Sequence, residues 1–509
     1  MKKNLFPQYN IDALKIDFLS IKTIFFYLLT FGVILVSGRY LKDVFVLLIV
    51  FLVIINCLTK NFYRSLEIIL IWFIVYGFYT SQGFITSVFI SKYIAKPYFL
   101  LFFIFIFFLE GTRKASLDKT YLTFWFFYLI IVFLGSSTQF QSIFVVISQS
   151  AFILIYFLIK EKKLSIKQYQ NLLNLFVAAA VLQTIVSILQ VSEIIPPASK
   201  MMADGQGGIY LWSAGLDDVA SGTFGAGASH IASWYAGFIS LFLLLIWIIT
   251  KNRSYLFFIL LSFLQCATVD SKTIMGVMIL MMGYLMFYLF KRKTMFQFDF
   301  QKTLLSIVAI SFIGFVFVTT WDAYYNYYGK KTGGSRTSIN EVYETEINVT
   351  MALVLNNIIY WGKIRGFEYV FNDFIDNDAK RLIWGYGIQG YDYNDKMKFI
   401  ENKDPMLMQL NNFTRSRSGL ISLFAKVGLV GSTLFFIALY FWYKINNSKI
   451  SNKFDLIKVS LLHIFSLFSL LAAALYAIEI TSVPIIIFAA TISIYSRLSV
   501  QHNIHAERA

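Results

Sequence analysis

Charged residues are scarce in this chain, and so are proline and cysteine. Asp, Glu, Lys and Arg make up 14% of its 509 residues, whereas a soluble domain has about 25%. The sequence holds only 6 prolines and 2 cysteines. The low charge excludes a soluble enzyme and a disordered protein, and so few cysteines exclude a secreted disulfide scaffold. No phosphate-binding P-loop string occurs, which argues against an ATP-driven pump.

Apolar residues dominate instead: 58% of the chain is hydrophobic, and its mean hydropathy is +0.66. A helix needs roughly 20 apolar residues to cross a bilayer. The sequence therefore predicts an all-α polytopic membrane protein with about 14 transmembrane helices. Two predicted spans are weaker than the rest, because 97–109 is short and 170–190 carries Gln183 and Gln190. The predicted spans are 23–37, 44–58, 65–80, 97–109, 121–135, 142–158, 170–190, 230–249, 255–269, 273–290, 303–319, 419–442, 459–477 and 483–497.

The basic residues orient these spans. With the N-terminus in the cytoplasm, Lys and Arg concentrate in the inner segments, except at the first two hairpins, where the two sides tie. Both termini are therefore predicted to be cytoplasmic, and the first apolar run is read as an uncleaved anchor. The two cysteines, Cys57 and Cys266, fall in apolar runs and are interpreted as small core hydrophobes.

Three regions follow from this topology. Residues 1–319 hold about eleven transmembrane helices, 320–418 form a large outer loop, and 419–509 hold the C-terminal helices and tail. The loop contains equal numbers of acidic and basic residues. A connection of this length is usually functional. Apolar spacing in 350–361 and 367–374 predicts short amphipathic helices, and hence a helical cap on the outer face.

Among the four histidines, His230 is the candidate for chemistry. It follows the glycine-rich run 221–227 at the point where a helix enters the membrane from outside, and Ser229 is a suitable cap. The amides of such a helix start favour an anion. The alternative is a flexible loop that merely ends at a capped helix. His463 lies on an apolar helix and is predicted to be structural, whereas the two histidines of the C-terminal tail are predicted to be inert.

Several basic residues fall at or within predicted outer membrane boundaries. Lys272 follows Asp270 between two apolar runs, where a charge is costly and typical of function; a tight turn with a local Asp–Lys pair is the alternative. Arg415 and Arg417 end the long loop, and arginine matches phosphate in a bidentate manner. A plain membrane anchor is their alternative role. Lys426 lies inside a span and must face protein or water.

The long loop also contains a glycine-rich string. Arg365 precedes an amphipathic stretch, and Gly385 and Gly387 follow within the run 381–390. Closely spaced glycines allow a ligand to approach the backbone, although a surface turn is the default interpretation. No zinc-ligand or paired-carboxylate string stands out. Five outer carboxylates are candidate bases among which spacing does not choose: Asp217, Asp218, Glu341, Glu344 and Glu346.

Taken in order, four of these stretches resemble the bacterial O-antigen polymerase (Wzy-type) and O-antigen ligase (WaaL-type) superfamily. The resemblance covers residues 220–431 together with the overall topology. Its elements are Ser221-Gly222-Thr223-Phe224, Asp270-Ser271-Lys272, Arg365 through Trp384-Gly385-Tyr386-Gly387, and Arg417-Ser418-Gly419-Leu420 through Lys426-Val427-Gly428-Leu429-Val430-Gly431. The chain departs from the family pattern at three of these positions. Arg417 stands where the ligases have histidine, Lys426 where glutamate is common, and Lys272 where arginine is usual. The missing histidine favours polymerase over ligase.

The resemblance implies a GT-C-like fold and a glycosyltransferase of the bacterial inner membrane that takes part in lipopolysaccharide biosynthesis. Its substrate would be an oligosaccharide on undecaprenyl diphosphate, polymerised at the periplasmic face without metal or cofactor. A separate partner normally controls chain length in this family, and no nucleic acid is involved. The ligase and a lipid-linked oligosaccharide flippase are the alternatives, although a flippase usually has two related halves.

The resemblance also suggests roles for individual residues. Arg365, Arg417, Lys272 and Arg415 are expected at the diphosphate, where preorganised positive charge would stabilise the leaving group. Gly385 and Gly387 are expected beside it, and Arg39 in the first outer loop is a further candidate. His230 or a loop carboxylate is expected to act as the base.

Overall fold

The protein is described here as a computed structural model. Fifteen helices occur within the described residues, which contain no β-strand. The described residues are 19–87, 89–90, 94–108, 119–134, 139–162, 164–192, 194–195, 222–225, 229–268, 272–291, 299–329, 379–385, 419–475 and 482–508. The helices are α1 Ile21–Leu41, α2 Asp43–Leu58, α3 Phe62–Ser81, α4 Pro97–Phe108, α5 Lys119–Leu134, α6 Gln139–Glu161, α7 Ile166–Val191, α8 Ser229–Thr250, α9 Ser254–Thr268, α10 Lys272–Phe290, α11 Phe300–Gly329, α12 Ala379–Trp384, α13 Gly419–Asn446, α14 Lys453–Leu475 and α15 Val483–Arg508.

Each predicted span coincides with one of these helices, and α12 is an additional short helix in the outer loop. Within the described part of the chain, nine helices are long and apolar enough to cross a membrane: α1, α3, α6, α7, α8, α11, α13, α14 and α15. The other five predicted spans correspond to the shorter apolar helices α2, α4, α5, α9 and α10. The chain is therefore a polytopic helical membrane protein, and the figure of about 14 crossings stays a prediction.

Helix α11 is longer than the sequence predicts. It continues to Gly329, past the predicted loop boundary at 320. Hydropathy marks where the chain leaves the hydrocarbon rather than where its backbone stops being helical. The added turns carry Trp and Tyr, which are enriched at the membrane–water interface.

Polar side chains begin several helices. Ser165 accepts a hydrogen bond from the Gln168 backbone N–H (3.2 Å), and the Gln168 side chain accepts one from the Ser165 N–H (2.9 Å), which completes a capping box at α7. The Ser20 hydroxyl caps α1 by accepting from Thr23 N, and Asn61 caps α3 in the same way. These caps satisfy amide groups that the helix itself leaves without acceptors.

Helix α8 lies at the centre of the bundle. It packs against α7, α9, α10, α14 and α15, and its membrane segment is buried almost throughout. Helices α1 and α11 lie at the periphery and leave most of their apolar side chains exposed, among them Leu29, Leu305 and Phe312. An outward apolar surface is what a lipid environment requires.

A buried carboxylate joins α1 to α3. Glu67 is only 5% exposed. Its Oε1 accepts hydrogen bonds from the hydroxyls of Tyr27 (2.5 Å) and Tyr63 (2.9 Å), and Arg64 Nη1 lies 2.5 Å from Oε2. Because both oxygens are bonded, this charge can remain inside the bundle.

A second polar cluster joins α14 to α15 at their opposite sequence ends. The Asp455 carboxylate accepts from the hydroxyls of Ser451 (2.5 Å) and Ser499 (2.8 Å), and Lys458 Nζ lies 3.3 Å from it. Lys458 also donates to the Ser448 hydroxyl at 2.8 Å. On the predicted topology, this cluster and Glu67 both lie near the cytoplasmic side.

The Glu67 contacts predict a measurable contribution to stability. Glu67→Ala leaves two tyrosine hydroxyls without their acceptor, so we expect the free energy of unfolding to fall by about 2–4 kcal/mol. Glu67→Gln keeps an acceptor oxygen and should lose less. Thermal unfolding of the purified protein in detergent measures both. Equal losses in the two variants, or no loss in either, would contradict this role of the Glu67 hydrogen bonds.

Candidate functional site

The segment 222–225 is held firmly by two glutamines of α7. Gln183 Oε1 accepts from Thr223 N at 2.7 Å, and Gln183 Nε2 donates to Thr223 Oγ1 at 2.6 Å. Gln190 pairs with Gly222 in the same manner, accepting from its N–H (3.0 Å) and donating to its carbonyl (3.1 Å). The Thr223 hydroxyl in turn donates to the Ile74 carbonyl at 2.6 Å. We call this arrangement the glutamine clamp.

Two glycines allow the clamp to close. Gly222 has a φ of 61°, and a Cβ atom there would lie 2.1 Å from Gln183 Oε1. Gly77 on α3 faces the same segment, and a Cβ atom at Gly77 would lie 2.0 Å from the Phe224 carbonyl oxygen. A larger residue at Gly77 would displace the backbone of 222–225, and one at Gly222 would displace the Gln183 amide and be strained at positive φ.

The clamp lies beside the first turns of α8. That helix begins at Ser229, and His230 is half-buried in its first turn. The Phe224 ring packs edge-on against Tyr235 at 5.6 Å. Trp234 follows His230 by four residues, so the two side chains share one face of α8. The predicted position of His230 at a helix start next to a glycine-rich segment is confirmed.

Helix α12 of the outer loop rests on a kink in α13. Gly428 interrupts α13 with a φ of 64° and a ψ of −168°. A Cβ atom on Gly428 would lie 2.4 Å from the Ile383 carbonyl oxygen, and one on Gly385 would lie 2.5 Å from Gly428 N. A Cβ atom on Gly385 would also lie 2.6 Å from the Lys426 carbonyl oxygen. The backbone around Gly385 thus packs directly on the backbone around Gly428, although the two glycines are far apart in sequence.

An elongated cavity of about 360 Å³ runs along α13. Its walls come from α5, α6, α8, α13, α14 and α15 and are mostly aromatic and aliphatic side chains. Trp234 lines it from α8, and Lys426 lines it from the first half of α13, two residues before the kink. On the predicted topology, the clamp and the α12–α13 contact lie toward the outer side. The cavity begins there, beside Leu420, and extends along α13 to Tyr443 at the cytoplasmic end of the span.

The polar side chains that line the cavity include two hydrogen-bonded members. Tyr128 donates to Gln149 Oε1 at 3.0 Å, and the Tyr443 hydroxyl lies 2.5 Å from Nδ1 of His463. His463 thus has the structural partner that its apolar helix predicts. Most of the remaining wall is apolar, which suits an apolar occupant.

The first outer loop is tied down separately. Arg39 is exposed in the last turn of α1. Asp43, which begins α2, accepts hydrogen bonds from the backbone N–H groups of Thr86 (3.0 Å) and Ser87 (3.1 Å) and from the Thr86 hydroxyl. Arg39 is not among the residues that line the cavity.

Several predicted site residues lie outside the described part of the chain. Lys272 begins α10 as predicted, but its side chain is not described. Within the described residues, no three His, Cys, Asp or Glu side chains are grouped to hold a metal ion. The positions outside the description are Arg365, Gly387, Arg415 and Arg417, the five candidate carboxylates, and the predicted helices in 350–361 and 367–374.

Sequence reasoning noted the two clamp glutamines only as weaknesses of a span. The useful signal was present, because an amide in an apolar helix needs a hydrogen-bond partner.

Cys57 and Cys266 are both buried and not joined in a disulfide, as predicted for core residues. Comparison with protein-family models, with curated proteins and with solved structures gave no match.

The clamp predicts strong coupling between α7 and the segment 222–225. Gln183→Leu removes both hydrogen bonds to Thr223, and Thr223→Val removes the one that Gln183 Nε2 donates. Because the two variants share this contact, their stability losses should be non-additive, with a coupling of about 1–2 kcal/mol. Thermal unfolding in detergent of both single variants and the double variant measures this coupling. Thr30→Val is the matched control, because the Thr30 hydroxyl bonds only within its own exposed helix. Additive losses would refute the clamp.

The α12–α13 contact predicts that its glycines are intolerant of a methyl group. Gly385→Ala and Gly428→Ala each introduce a clash and about 1–2 kcal/mol of strain at positive φ. We expect lower melting temperatures, with the double variant scarcely worse than either single one. In Gly276→Ala, a helical control with open space around the new Cβ, stability should be unchanged or slightly higher. A similar response in all three variants would argue against the contact.

Proposed function

We propose that this protein is a glycosyltransferase that polymerises oligosaccharide repeat units carried on undecaprenyl diphosphate. It would act at the periplasmic face of the bacterial inner membrane, with both termini in the cytoplasm and a GT-C-like arrangement of about 14 crossings. The proposal combines the family resemblance with the site geometry.

One observation carries the proposal. The glycine-rich end of α12 packs on the kink of α13, two residues from Lys426, and Lys426 lines an apolar cavity. A lipid diphosphate has the matching two-part chemistry, because its chain is apolar and its head group is anionic. A lysine inside a membrane segment is costly, and positions of this kind usually carry function.

The proposed reaction needs a base for one proton and positive charge beside the leaving group. A hydroxyl at the non-reducing end of the acceptor attacks the anomeric carbon of the donor glycan. The new glycosidic bond forms as the bond from that carbon to the phosphate oxygen breaks, and undecaprenyl diphosphate leaves with the bonding electrons. The hydroxyl proton passes to a base, for which His230 at the start of α8 is our candidate.

Positive side chains would supply most of the catalysis by stabilising charge on the departing diphosphate. We assign this role to Lys426, to Arg365 and Arg417 of the outer loop, and to Lys272, with Arg415 and Arg39 as further candidates. Lys426 stands where the family that the chain resembles commonly has glutamate. Unlike a glutamate, a lysine at this position can stabilise an anionic leaving group by its positive charge.

Glycan transfer by the purified protein tests the proposal. A lipid-diphosphate-linked repeat unit, incubated in detergent without added metal or nucleotide, should yield a ladder of polymers. Lys426→Met should lower the rate by about 100-fold or more, as loss of a preorganised charge-stabilising group does. Arg365→Ala and Arg417→Ala should have effects of the same order. The exposed Lys302, on α11, provides Lys302→Met as a control that leaves the rate unchanged.

The rival functions give different outcomes. An absent ladder, together with carrier exchange across liposomes, would support a flippase instead. Transfer of glycan to lipid A core without lengthening would support a ligase. In cells, loss of a polymerase leaves core capped with a single unit, whereas loss of a ligase leaves uncapped core with polymer still on its carrier.

A further inference from the structure

Part of the cavity wall is exposed at the surface of the bundle. Phe436 and Tyr440 line it from α13, and Leu470 lines it from α14. The same three side chains are 43%, 59% and 48% exposed on the outside of the bundle. Phe436 and Tyr440 are four residues apart and share one face of α13. The exposed part of the wall therefore lies between α13 and α14, on a mainly apolar face of the kind that lipid covers.

The size of the cavity limits what it can enclose. An apolar cavity of about 150 Å³ holds one benzene ring of six carbons. By that ratio, 360 Å³ encloses about 14 carbon atoms. This corresponds to about three isoprene units, whereas an undecaprenyl chain contains about eleven.

We propose that the cavity encloses only the three or so isoprene units nearest the diphosphate and that the remaining chain leaves between α13 and α14 into the bilayer. The head-group identity rests on the proposed function; the enclosed length and the exit rest on the cavity. Lys426 lies on the first half of α13, and Phe436 and Tyr440 lie further along that helix. The anionic end is therefore held near the α12–α13 contact while the chain runs along α13.

If the cavity encloses only these units, the protein recognises only the part of the prenyl chain nearest the diphosphate. Carbon atoms beyond the exit are surrounded by lipid or detergent both before and after binding, so they add no affinity. Atoms inside the cavity gain contacts with the aromatic walls. The protein should therefore not distinguish carriers that differ only beyond the third unit.

Binding of three prenyl diphosphates to the full-length protein in detergent, measured by native mass spectrometry, tests this inference. Farnesyl diphosphate has three isoprene units and should bind within about threefold of undecaprenyl diphosphate. Isopentenyl diphosphate has one unit and should bind about tenfold more weakly or worse, because it leaves most of the cavity unfilled.

Variants locate the bound chain. Ser466 lines the cavity, so Ser466→Phe should weaken farnesyl diphosphate by about tenfold while leaving isopentenyl diphosphate unchanged. Leu439→Trp fills the same space and serves if Ser466→Phe fails to fold. Leu305→Trp adds bulk to an exposed face of α11 and is the matched control. Lys426→Met should weaken all three diphosphates by a similar factor.

Three results would overturn the inference. Affinity that rises tenfold or more from farnesyl to undecaprenyl diphosphate would place further units on the protein. Equal binding of isopentenyl diphosphate would restrict recognition to the head group. Unchanged farnesyl binding in the filled variants would place the chain elsewhere. Glycan transfer by the same preparation separates the two proposals. Selectivity for prenyl chain length without glycan transfer would contradict only the proposed function. Glycan transfer without this selectivity would contradict only the inference about the cavity.

Discussion

Hydrogen-bonding groups within a bilayer must find partners inside the protein, because the hydrocarbon offers none. The candidate site depends on that constraint at the glutamine clamp. Gln183 and Gln190 each satisfy both halves of their amide on one backbone segment. These bonds fix 222–225 against α7, and the bond from the Thr223 hydroxyl to the Ile74 carbonyl fixes the segment against α3, beside the start of α8. A polar requirement that weakens α7 as a membrane span thus becomes the device that holds non-helical backbone inside the bundle.

Hydropathy predicted the positions of the helices well because it reads the lipid requirement directly. It did less well at their ends, since a helix continues for as long as its backbone bonds are favourable. Helix α11 extends to Gly329, and α15 continues to Arg508 beyond its apolar part. Pairings between distant segments were not predictable, because residue type reveals a need for a partner but not which partner meets it. Gln183 with Thr223 and Tyr443 with His463 are examples.

The site was predicted in part. His230 and Lys272 occupy the helix starts that their surrounding sequence indicated. The glycines near Gly385 were expected to let a ligand approach the backbone, and the close approach observed at Gly385 is to the kink at Gly428. Periodicity cannot reveal such a contact, because the two glycines come from different elements. The roles of Arg365, Arg415 and Arg417 stay predictions from the sequence.

If the proposed function is taken, the chemistry of the cavity favours a division of the lipid-linked glycan between two environments. Tyr128 with Gln149 and Tyr443 with His463 already form hydrogen bonds at its wall. Most of the cavity wall is apolar, so a hydrocarbon chain fits it well, whereas a sugar would lose its hydration against mainly apolar side chains. The glycan is therefore better placed outside, near α12 and the start of α8, with its lipid inside. The diphosphate of the proposed substrate would then fall beside Lys426, whose half-buried positive charge would stabilise an anion more strongly than a charge in water does.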